Sequence, residues 1–406
     1  MKHSESMVDS RMAEHILSGL RVIDCATYIA APTAAMMLGD YGAEVIKIER
    51  PPHGDPYRYL HLSPGTPKHD MPYMFQLDNR NKKSVALDLT MPEAIEALRD
   101  LVKTADIFIT NYQPQHLRKF NLEYETLAAL NPRLIYAQIT GFGTEGPDAE
   151  KPGYDTAAYY ARSGLMDALY NAGSEPVLSP AGIGDHPTGV SLFAGILLAL
   201  MDRGRSGKGH WVKSNLLHNG IWSNACIVQG ALVGAKFIPR GQRAAPRNPL
   251  VNHYQSKDGK RFLLVLLEPV RDWTNLCRLL DWEHLFDDER FATAALRGQN
   301  AAALTALLDE GFAALDMVQL AALFAEHDLI WSDVPTTEEA AADPQLIHNG
   351  ALATLEDGTR TIQNPVHVEG LAKTAVGRFP NIGEHTDEIL EELGYSRAQI
   401  EKLTKR

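Results

Sequence analysis

Residues 19–49 read GLRVIDCATYIAAPTAAMMLGDYGAEVIKIE, and this stretch decides the fold. Residues 20–24 and 44–48 are rich in branched apolar side chains and predict strands, whereas residues 33–41 between them predict a helix. A strand, a helix and a second strand in this order form a βαβ unit with parallel strands. The stretch therefore predicts the first unit of an α/β sheet.

The same alternation continues to about residue 140. We predict strands at residues 84–89, 107–110 and 134–139, and a short helix at 124–130. A further helix is expected from near Thr90 to about Lys103, because the Thr-x-x-Glu spacing from Thr90 to Glu93, together with Pro92, is an N-terminal signature of helices. These elements predict a doubly wound sheet, which binds ligands beyond the ends of its strands.

The second half of the chain is more varied. Residues 190–202 predict an apolar helix, followed by a basic turn, a strand at 210–214 and a long helix through Val233. The segment 237–252 is rich in Pro, Gly and Arg and indicates the entrance to a second domain. A strand at 261–267 and mostly helical sequence from 273 to 329 follow, and a last helix is expected near His385.

Composition narrows the class of protein. A chain of 406 residues with 45% hydrophobic and 22% charged residues is typical of a globular protein with more than one domain. Its net charge of −12 argues against nucleic acid or a membrane surface as a partner, because both attract a basic face. An anionic ligand would need a local basic patch.

The cysteines and the N-terminus suggest location. Cys25, Cys226 and Cys277 have no zinc or redox spacing, so we predict no metal site and a reducing compartment. Residues 1–16 are expected to form a flexible leader without the apolar core of a signal peptide. No apolar run reaches the roughly 18 residues of a membrane span, so we expect a cytoplasmic protein.

Common catalytic motifs are absent from the sequence. The first βα turn has no G-x-G-x-x-G, which argues against dinucleotide binding. No H-E-x-x-H, G-x-S-x-G or G-K-[ST] motif occurs either, so zinc proteases, serine hydrolases and common nucleotide phosphatases are not favoured.

A carboxylate on a glycine-bounded turn is the main candidate for chemistry. Gly184-Asp185-His186-Pro187-Thr188-Gly189 precedes the apolar helix, where free N–H groups stabilise negative charge. Asp185 could simply cap that helix. It could instead attack a thioester, forming a mixed anhydride and releasing a thiolate, with neighbouring glycine N–H groups as the oxyanion site.

Other charged residues are weaker candidates. Asp155, after Pro152-Gly153-Tyr154, could be acidic machinery or only a turn residue, and Glu268 is a third acidic candidate. Several basic residues near predicted strand ends could together hold phosphate groups, although each alone could be a solvated charge. They are Lys47, Arg50, Lys82, Lys83, Arg118 and Lys119.

At this point the sequence resembles the class III coenzyme A transferases, also called the CaiB/BaiF family, from Leu17 to the C-terminus. The matching stretches are Gly19-Leu20-Arg21-Val22-Ile23-Asp24, Gly42-Ala43-Glu44-Val45-Ile46-Lys47-Ile48-Glu49, Asn81-Lys82-Lys83-Ser84, Asn131-Pro132-Arg133-Leu134-Ile135-Tyr136, Gly141-Phe142-Gly143, Gly207-Lys208-Gly209 and Gly383-Glu384-His385-Thr386.

The resemblance implies the domain organisation. It implies a doubly wound, Rossmann-like large domain built from residues 17–222 and 345–406, and a smaller α/β domain at residues 223–344. Subunits of the family interlock as a homodimer, so a second copy of the chain is an expected partner.

The resemblance also implies the site. The catalytic residue would be Asp185, with Gly184, Asp155, Tyr154 and Glu268 as possible supporting residues. The implied coenzyme A contacts are Thr27, Arg50, Leu87, Asp88, Leu89, Thr90, Asn111, Tyr112, Gln113 and Lys119. Coenzyme A thioester is a substrate here, and no permanently bound cofactor or metal is expected.

Departures from the family pattern bear on the substrate. Formyl-CoA transferases have a glutamine where this chain has Ile29. They also have a run of glycines that this chain lacks near residues 249–254. Both differences disfavour oxalate and formate as substrates. The related α-methylacyl-CoA racemases have a histidine at the position of Tyr154. A phenol with pKa near 10 is a poor proton acceptor at neutral pH, although Glu268-Pro269 does resemble the racemases.

We therefore predict a CoA-transferase that moves coenzyme A from an acyl-CoA to a free carboxylic acid through Asp185. Two alternatives stay open. One is a 2-methylacyl-CoA racemase that transfers an α-proton, and the other is a coenzyme A-binding module without catalysis.

Overall fold

The computed structural model describes residues 15–404. The leader predicted for residues 1–16 lies outside the described residues except for its last two positions. The chain forms two compact units. Unit 1 comprises residues up to Ala168, Leu178–Gln229 and Gly350 onward, whereas unit 2 comprises Leu169–Val177 and Gly230–Asn349.

Unit 1 contains a sheet of six parallel strands in the order β3-β2-β1-β4-β5-β6. The strands are β1 (Arg21–Cys25), β2 (Glu44–Glu49), β3 (Lys83–Ala86), β4 (Ile107–Thr110), β5 (Ile135–Thr140) and β6 (Trp211–Asn215). Strand order reverses between β1 and β4, where doubly wound sheets leave a crevice for ligands. The prediction of a Rossmann-like α/β fold is confirmed.

Apolar clusters lie on both faces of this sheet, whose strands are connected and followed by helices. The helices are α1 (Ala30–Asp40), α2 (Tyr73–Asn79), α3 (Pro92–Lys103), α4 (Pro114–Phe120), α5 (Tyr124–Leu130), α6 (Leu165–Ala168), α7 (Asp185–Ser206), α8 (Leu216–Ser223) and α9 (Ala225–Leu232), with 3₁₀ turns at Pro56–Leu62 and a π-helical turn at Thr156–Ala161. Neighbouring residues Val22 and Ile23 of β1 belong to different apolar clusters, one on each face. Strands β1 to β5 are mostly buried, as in other parallel sheets, whereas the edge strand β6 is partly exposed.

The packing of α1 against α7 fixes the start of α7. Every residue of α1 is buried. A Cβ atom on Gly189 would lie 2.7 Å from the carbonyl oxygen of Ala30, so only glycine permits this approach. The first turn of α7 is thereby held beside the first βα turn of the sheet.

Unit 2 is a smaller α/β unit with an antiparallel sheet. Its elements are β7 (Val251–Gln255), β8 (Arg261–Val265), α10 (Arg271–Leu279), a 3₁₀ turn (Glu283–Asp287), α11 (Ala294–Gln299), α12 (Ala301–Ala313), α13 (Met317–Glu326), β9 (Trp331–Asp333), α14 (Thr337–Ala341) and α15 (Pro344–His348). The sheet order is β7-β8-β9. Phe262, Phe312 and Phe324 form the centre of its core.

The C-terminal segment of unit 1 closes the free edge of the large sheet. It contains β10 (Leu352–Thr354), β11 (Arg360–Ile362), α16 (Thr386–Glu392) and α17 (Arg397–Thr404). The backbone N–H of Ala86 donates to Thr386 Oγ1 at 2.9 Å, and that of His385 donates to the carbonyl oxygen of Ser84 at 2.9 Å. The polar backbone of β3 is therefore paired rather than exposed.

Several predicted helix boundaries were wrong. The helix expected from Thr90 begins at Pro92, because the Thr90 hydroxyl donates to Asp88 Oδ1 at 2.8 Å and caps nothing. The helix expected from residue 190 begins at Asp185, and the long helix through Val233 is two helices, α8 and α9. The predicted helix 33–41 begins earlier, at Ala30, since Pro32 is tolerated in a first turn.

Candidate active site

A cavity of about 1100 Å³ lies at the carboxyl ends of the strands in unit 1. Thr27 follows β1 and Asn111 follows β4, on the two sides of the point where strand order reverses. The Thr27 N–H donates to Asn111 Oδ1 at 3.0 Å, and Asn111 Nδ2 donates to the Thr27 carbonyl oxygen at 2.7 Å. These two bonds tie the turns together and form one wall of the cavity.

The structure brings nearly all of the predicted coenzyme A contacts to this cavity. Its lining includes Thr27, Arg50, Leu87, Asp88, Leu89, Thr90, Asn111, Tyr112 and Gln113, together with Tyr154, Asp155 and Asp185. Lys119 is exposed on α4, with its ammonium over the Phe120 ring, and is not part of the lining. A role in holding coenzyme A stays a prediction for the whole set.

The predicted basic patch for phosphates was largely wrong. Lys47 and Lys82 are buried, with their ammonium groups 2.9 Å from Asp55 Oδ2 and 2.8 Å from Asp24 Oδ2 respectively. Lys83 pairs with Glu44 and Glu388, and Arg118 pairs with Glu150. Of the six basic residues considered, Arg50 is the one that lines the cavity.

Asp185 lies in the first turn of α7 and lines the cavity. Gly184 occupies the N-cap position, and no side-chain cap bond is made there. No hydrogen bond or ion pair of the Asp185 carboxylate is found within residues 15–404. Burial, followed by the negative charge of Asp155, raises its pKa to about 7, against the opposing charge of His186. The carboxylate is therefore held in a high-energy state rather than used as a cap.

Asp155 holds the glycine before Asp185. It is buried, its Oδ1 accepts from the N–H of Thr156 at 2.7 Å, and its Oδ2 accepts from the N–H of Gly184 at 3.1 Å. Asp155 thus caps the π-helical turn, as a turn residue would, and also fixes the turn that carries Asp185. Because the Gly184 N–H is occupied, this glycine is not the free oxyanion donor that the sequence suggested.

Gly184 is packed too tightly for any side chain. A Cβ atom at this position would lie 2.4 Å from Cγ of Tyr159. The Tyr159 ring is itself buried, and its hydroxyl bonds to Ser223 Oγ at 2.6 Å. The turn before Asp185 therefore rests on an aromatic ring that cannot easily move.

His186 was not predicted as a site residue. Its Nε2 lies 3.2 Å from Oδ1 of Asp78, a fully buried carboxylate on α2. Its Nδ1 lies 3.2 Å from the carbonyl oxygen of Gly182. Burial opposes the charged form of His186, but the nearby Asp78 carboxylate outweighs it and raises the pKa to about 9. The partners are far apart in sequence, so no local pattern signals this pair.

A network of buried charges supports the first βα turn. Asp55 Oδ2 contacts the Lys47 ammonium, while its Oδ1 accepts from the N–H of Tyr28 at 3.1 Å and of Tyr57 at 2.9 Å. Tyr28 has a positive φ of 62°, a strained conformation for a bulky residue. Asp55 therefore holds Tyr28 in a position that the backbone alone disfavours.

Tyr28 and Tyr154 form one wall of the cavity. Their rings are 5.5 Å apart at an interplanar angle of 79°. A hydrogen bond that the Tyr28 hydroxyl donates to Tyr154, with burial, raises the pKa of Tyr28 to about 12. The Tyr28 phenol is therefore neutral near neutral pH.

The remaining acidic candidate lies elsewhere. Glu268 is exposed in unit 2, after β8, and its backbone N–H donates to Asp272 Oδ2 at 2.8 Å. Its part in the chemistry stays a prediction. No group of three or more His, Cys, Asp or Glu side chains suited to a metal ion occurs in residues 15–404. Within the same residues, no helix has the length and apolar character needed to cross a membrane.

The sequence of this chain is similar to those of known enzymes over nearly its whole length. A family model described as CoA-transferase family III matches residues 17–386. The (R)-2-hydroxy-4-methylpentanoate CoA-transferase of Clostridioides difficile is 33% identical over 95% of this chain and 97% of its own length. A mouse succinyl-CoA:glutarate CoA-transferase is 32% identical over 95% of this chain and 88% of its own.

A solved structure shows the same architecture. The crystal structure of a CAIB/BAIF family protein from Brucella suis has a TM-score of 0.83 and 32% identity, covering 94% of this chain and 100% of that one. The chain belongs to the CoA-transferase family III, the CaiB/BaiF family. The predicted family and enzyme class are confirmed, and acyl-CoA thioesters and carboxylic acids are the substrates of that class.

Proposed function

We propose that this enzyme moves coenzyme A between acids through covalent intermediates on Asp185. The observation that carries the proposal is the unpaired, half-buried Asp185 carboxylate in the cavity that contains the predicted coenzyme A contacts. A carboxylate with a raised pKa is more basic than usual, and near neutral pH a large fraction remains ionised.

The proposed reaction is a series of acyl exchanges. Asp185 attacks the thioester carbonyl, the C–S bond breaks, and a mixed anhydride and the CoA thiolate result. The thiolate then attacks the Asp185 carbonyl and releases the donor acid, which leaves an aspartyl-CoA thioester. The acceptor carboxylate then attacks the aspartyl-CoA thioester and releases the CoA thiolate, and a second mixed anhydride forms. The thiolate attacks the acceptor carbonyl of this anhydride, giving the new acyl-CoA and free Asp185. One thioester replaces another of similar energy, so no ATP is consumed.

Trapping at Asp185 tests this mechanism. The protein is incubated with an acyl-CoA and either hydroxylamine or borohydride, and the peptide containing Asp185 is examined by mass spectrometry. We expect the hydroxamate or the reduced side chain at Asp185, and a loss of at least about 10³-fold in kcat for Asp185→Ala. An unmodified Asp185, with turnover retained in the variant, would contradict the proposal.

The racemase alternative is less well supported by the site. It requires a second group that exchanges a proton with the substrate α-carbon. Tyr154, at the position where the racemases have a histidine, has its ring against Tyr28 and a hydrogen bond to it, which suits a wall better than a base. Uptake of deuterium from D₂O at the α-carbon, with no acceptor acid present, would favour the racemase.

We further propose an acid with an apolar side chain, aliphatic or aromatic, as the substrate. The cavity lining includes Tyr28, Ile29, Tyr154, Met166 and Leu178. The second carboxylate of a dicarboxylic acid would need a cation, but the lining cations Arg50 and Lys151 already contact Asp88 and the Phe142 ring.

A comparison of acceptor acids tests this assignment. 2-Hydroxy-4-methylpentanoate, the acid that names one relative, and glutarate, which is part of the name of the other, are supplied with the same acyl-CoA donor. We expect kcat/KM to be at least about tenfold higher for the apolar acid, since burying an unpaired carboxylate is costly. Equal or higher values for glutarate would overturn the assignment.

We also propose that the enzyme works as a homodimer, interlocked as in its family. The observation behind this is α9, an apolar helix in which no residue is buried within one chain. Trp222 on α8 is 76% exposed, and Ile227 and Leu232 on α9 are 52% and 75% exposed. Exposed apolar side chains on two consecutive helices are typical of an interface between copies of a chain.

Light scattering after size exclusion tests the dimer. We expect twice the mass of one chain, and dissociation or loss of folded protein when Trp222→Glu and Ile227→Glu are combined. Leu62→Glu is the control, because Leu62 is also 60% exposed but lies far from these helices in sequence. A wild-type monomer at micromolar concentration would contradict the dimer.

The free cysteines Cys25, Cys226 and Cys277 fit a reducing, cytoplasmic environment.

A further inference from the structure

The imidazole of His186 lies between two hydrogen-bond acceptors. Its Nδ1 is 3.2 Å from the Gly182 carbonyl oxygen, and its Nε2 is 3.2 Å from Asp78 Oδ1. A neutral imidazole carries one N–H and can donate to only one of them. The contact of Nε2 with Asp78 is an ion-pair distance without hydrogen-bond geometry, and it is attractive when the ring carries the positive charge of the imidazolium form.

The Asp78 carboxylate, which lies next to Nε2 of His186, requires a positively charged partner. The Asp78 carboxylate is fully buried, and its oxygens also accept from Thr33 Oγ1 at 2.8 Å and Tyr57 OH at 2.9 Å. These hydroxyls are neutral, so they do not balance its charge. A buried carboxylate is tolerated when a charged partner contacts it, and within residues 15–404 the ion pair of Asp78 is the one with His186.

The backbone makes room for this ring. Gly182 has a positive φ of 82°, and a Cβ atom there would lie 3.1 Å from both Cε1 and Nδ1 of His186. The ring is thus placed by a glycine on one side and by α2 on the other. Its position is fixed by packing as well as by hydrogen bonds.

The groups around Asp185 are otherwise unfavourable to its charge. Asp155, which precedes the π-helical turn, and Asp78 of α2 are both negative, and Tyr57 of the 3₁₀ turn is a neutral phenol that also feels the charge of Asp185. His186 is the positive group that acts on Asp185 in this set. The ionised nucleophile therefore depends on its immediate neighbour in the chain.

We propose that His186 is a positioning residue, a fixed cation held by Asp78 and Gly182 that keeps Asp185 ionised for attack on the thioester. This inference rests on the proposed role of Asp185 as nucleophile. His186 does not exchange a proton with the substrate, and its action is electrostatic. Its raised pKa, caused mainly by Asp78 against the effect of burial, agrees with a charge that persists at neutral pH.

The pH profile of Asp185 acylation in His186→Gln tests the inference. Removing an adjacent positive charge is expected to move the acidic limb of kcat/KM upward by about one pH unit. At pH 7 this corresponds to a loss of roughly fivefold, which shrinks as the pH rises toward about 9 and His186 itself loses its proton in the wild type. A purely structural role would lower the rate at every pH and leave the limb in place.

His210→Gln is the matched control. His210 Nε2 lies 2.9 Å from Asp202 Oδ2, which makes a second His–Asp pair in the same unit, but neither residue lines the cavity. We expect its acidic limb to coincide with that of the wild type. An unshifted limb in His186→Gln, or an equal shift in His210→Gln, would overturn the inference.

A direct measurement separates this inference from the proposed function. NMR of ¹⁵N-histidine protein, assigned by the loss of one signal in His186→Gln, reports whether both ring nitrogens are protonated. We expect an imidazolium at pH 7.5 in the wild type, and a neutral ring would overturn the inference even if Asp185 is trapped as an acyl enzyme. If Asp185 is not trapped, the proposed nucleophile fails whatever the state of His186.

Discussion

The buried charges under the first βα turn and the carboxylate at the start of α7 belong to the same unit but are partnered differently. Asp24 and Asp55 each contact a buried lysine, Lys82 or Lys47. Among the residues that the structure describes, Asp185 has no ion pair, and its pKa is raised to about 7 chiefly by burial. Paired charges hold the turn in place, whereas a poorly stabilised charge in a cavity is typical of a group that reacts.

The largest effect is expected from breaking the paired set. Lys47→Met leaves the Asp55 carboxylate buried without its cation. Loss of one partner of a buried ion pair typically lowers the free energy of unfolding by about 3–5 kcal/mol. Urea unfolding measures this. Arg118→Ala removes an ion pair whose two side chains are each 53% exposed, and should cost less than about 1 kcal/mol. Similar losses in the two variants would mean that burial does not distinguish these pairs.

A smaller effect is expected from moving the unpaired carboxylate. Gly184→Ala places a Cβ atom 2.4 Å from the Tyr159 ring, so the turn carrying Asp185 must shift. We expect kcat to fall by about 100-fold, because misplacing a reacting group is costly. Binding of coenzyme A, measured by calorimetry, should change little. Gly204→Ala in the same helix meets open space and should retain full activity, so inactivation there would point to a helix effect instead.

The smallest effect concerns the cost of the buried Asp185 carboxylate in free energy of unfolding. A carboxyl group with a folded-state pKa above its unfolded value loses stability as the pH rises between those two values. Asp185→Asn should therefore stabilise the inactive protein by about 1–2 kcal/mol at pH 8, after allowance for solvent screening. Near pH 4 the gain should vanish, because Asp185 is then protonated. Thermal unfolding at both pH values measures this, and a variant less stable at pH 8 would show that Asp185 is not strained.

The sequence allowed much of the fold to be predicted. The strands β1, β2, β4 and β5 follow from apolar runs, and α5 was predicted at its observed bounds. Boundaries failed where a local hydrogen bond competed, as with Thr90 and Asp88, or where a helix was extended by polar residues, as at Asp185. Such competition depends on tertiary contacts that no local pattern contains.

The part of the candidate site that could be predicted consists of residues that are neighbours in the sequence. A glycine-bounded carboxylate before an apolar helix singled out Asp185, and family resemblance supplied the cavity lining. The partners of His186 and Lys47 were missed because Asp78 and Asp55 reach them only through folding. A signal did exist for Lys47, since a charged residue inside a strand buried on both faces needs a partner.

The closure of the β3 edge by the C-terminal segment has a consequence for synthesis on the ribosome. Chains emerge at about 5–20 residues per second, N-terminal end first. All of unit 2, which ends at Asn349, has emerged before the Thr386 hydroxyl can reach the N–H of Ala86. Unit 2 can therefore fold on the nascent chain before unit 1 is complete. The β3 edge of unit 1 stays open until α16 and α17 have emerged.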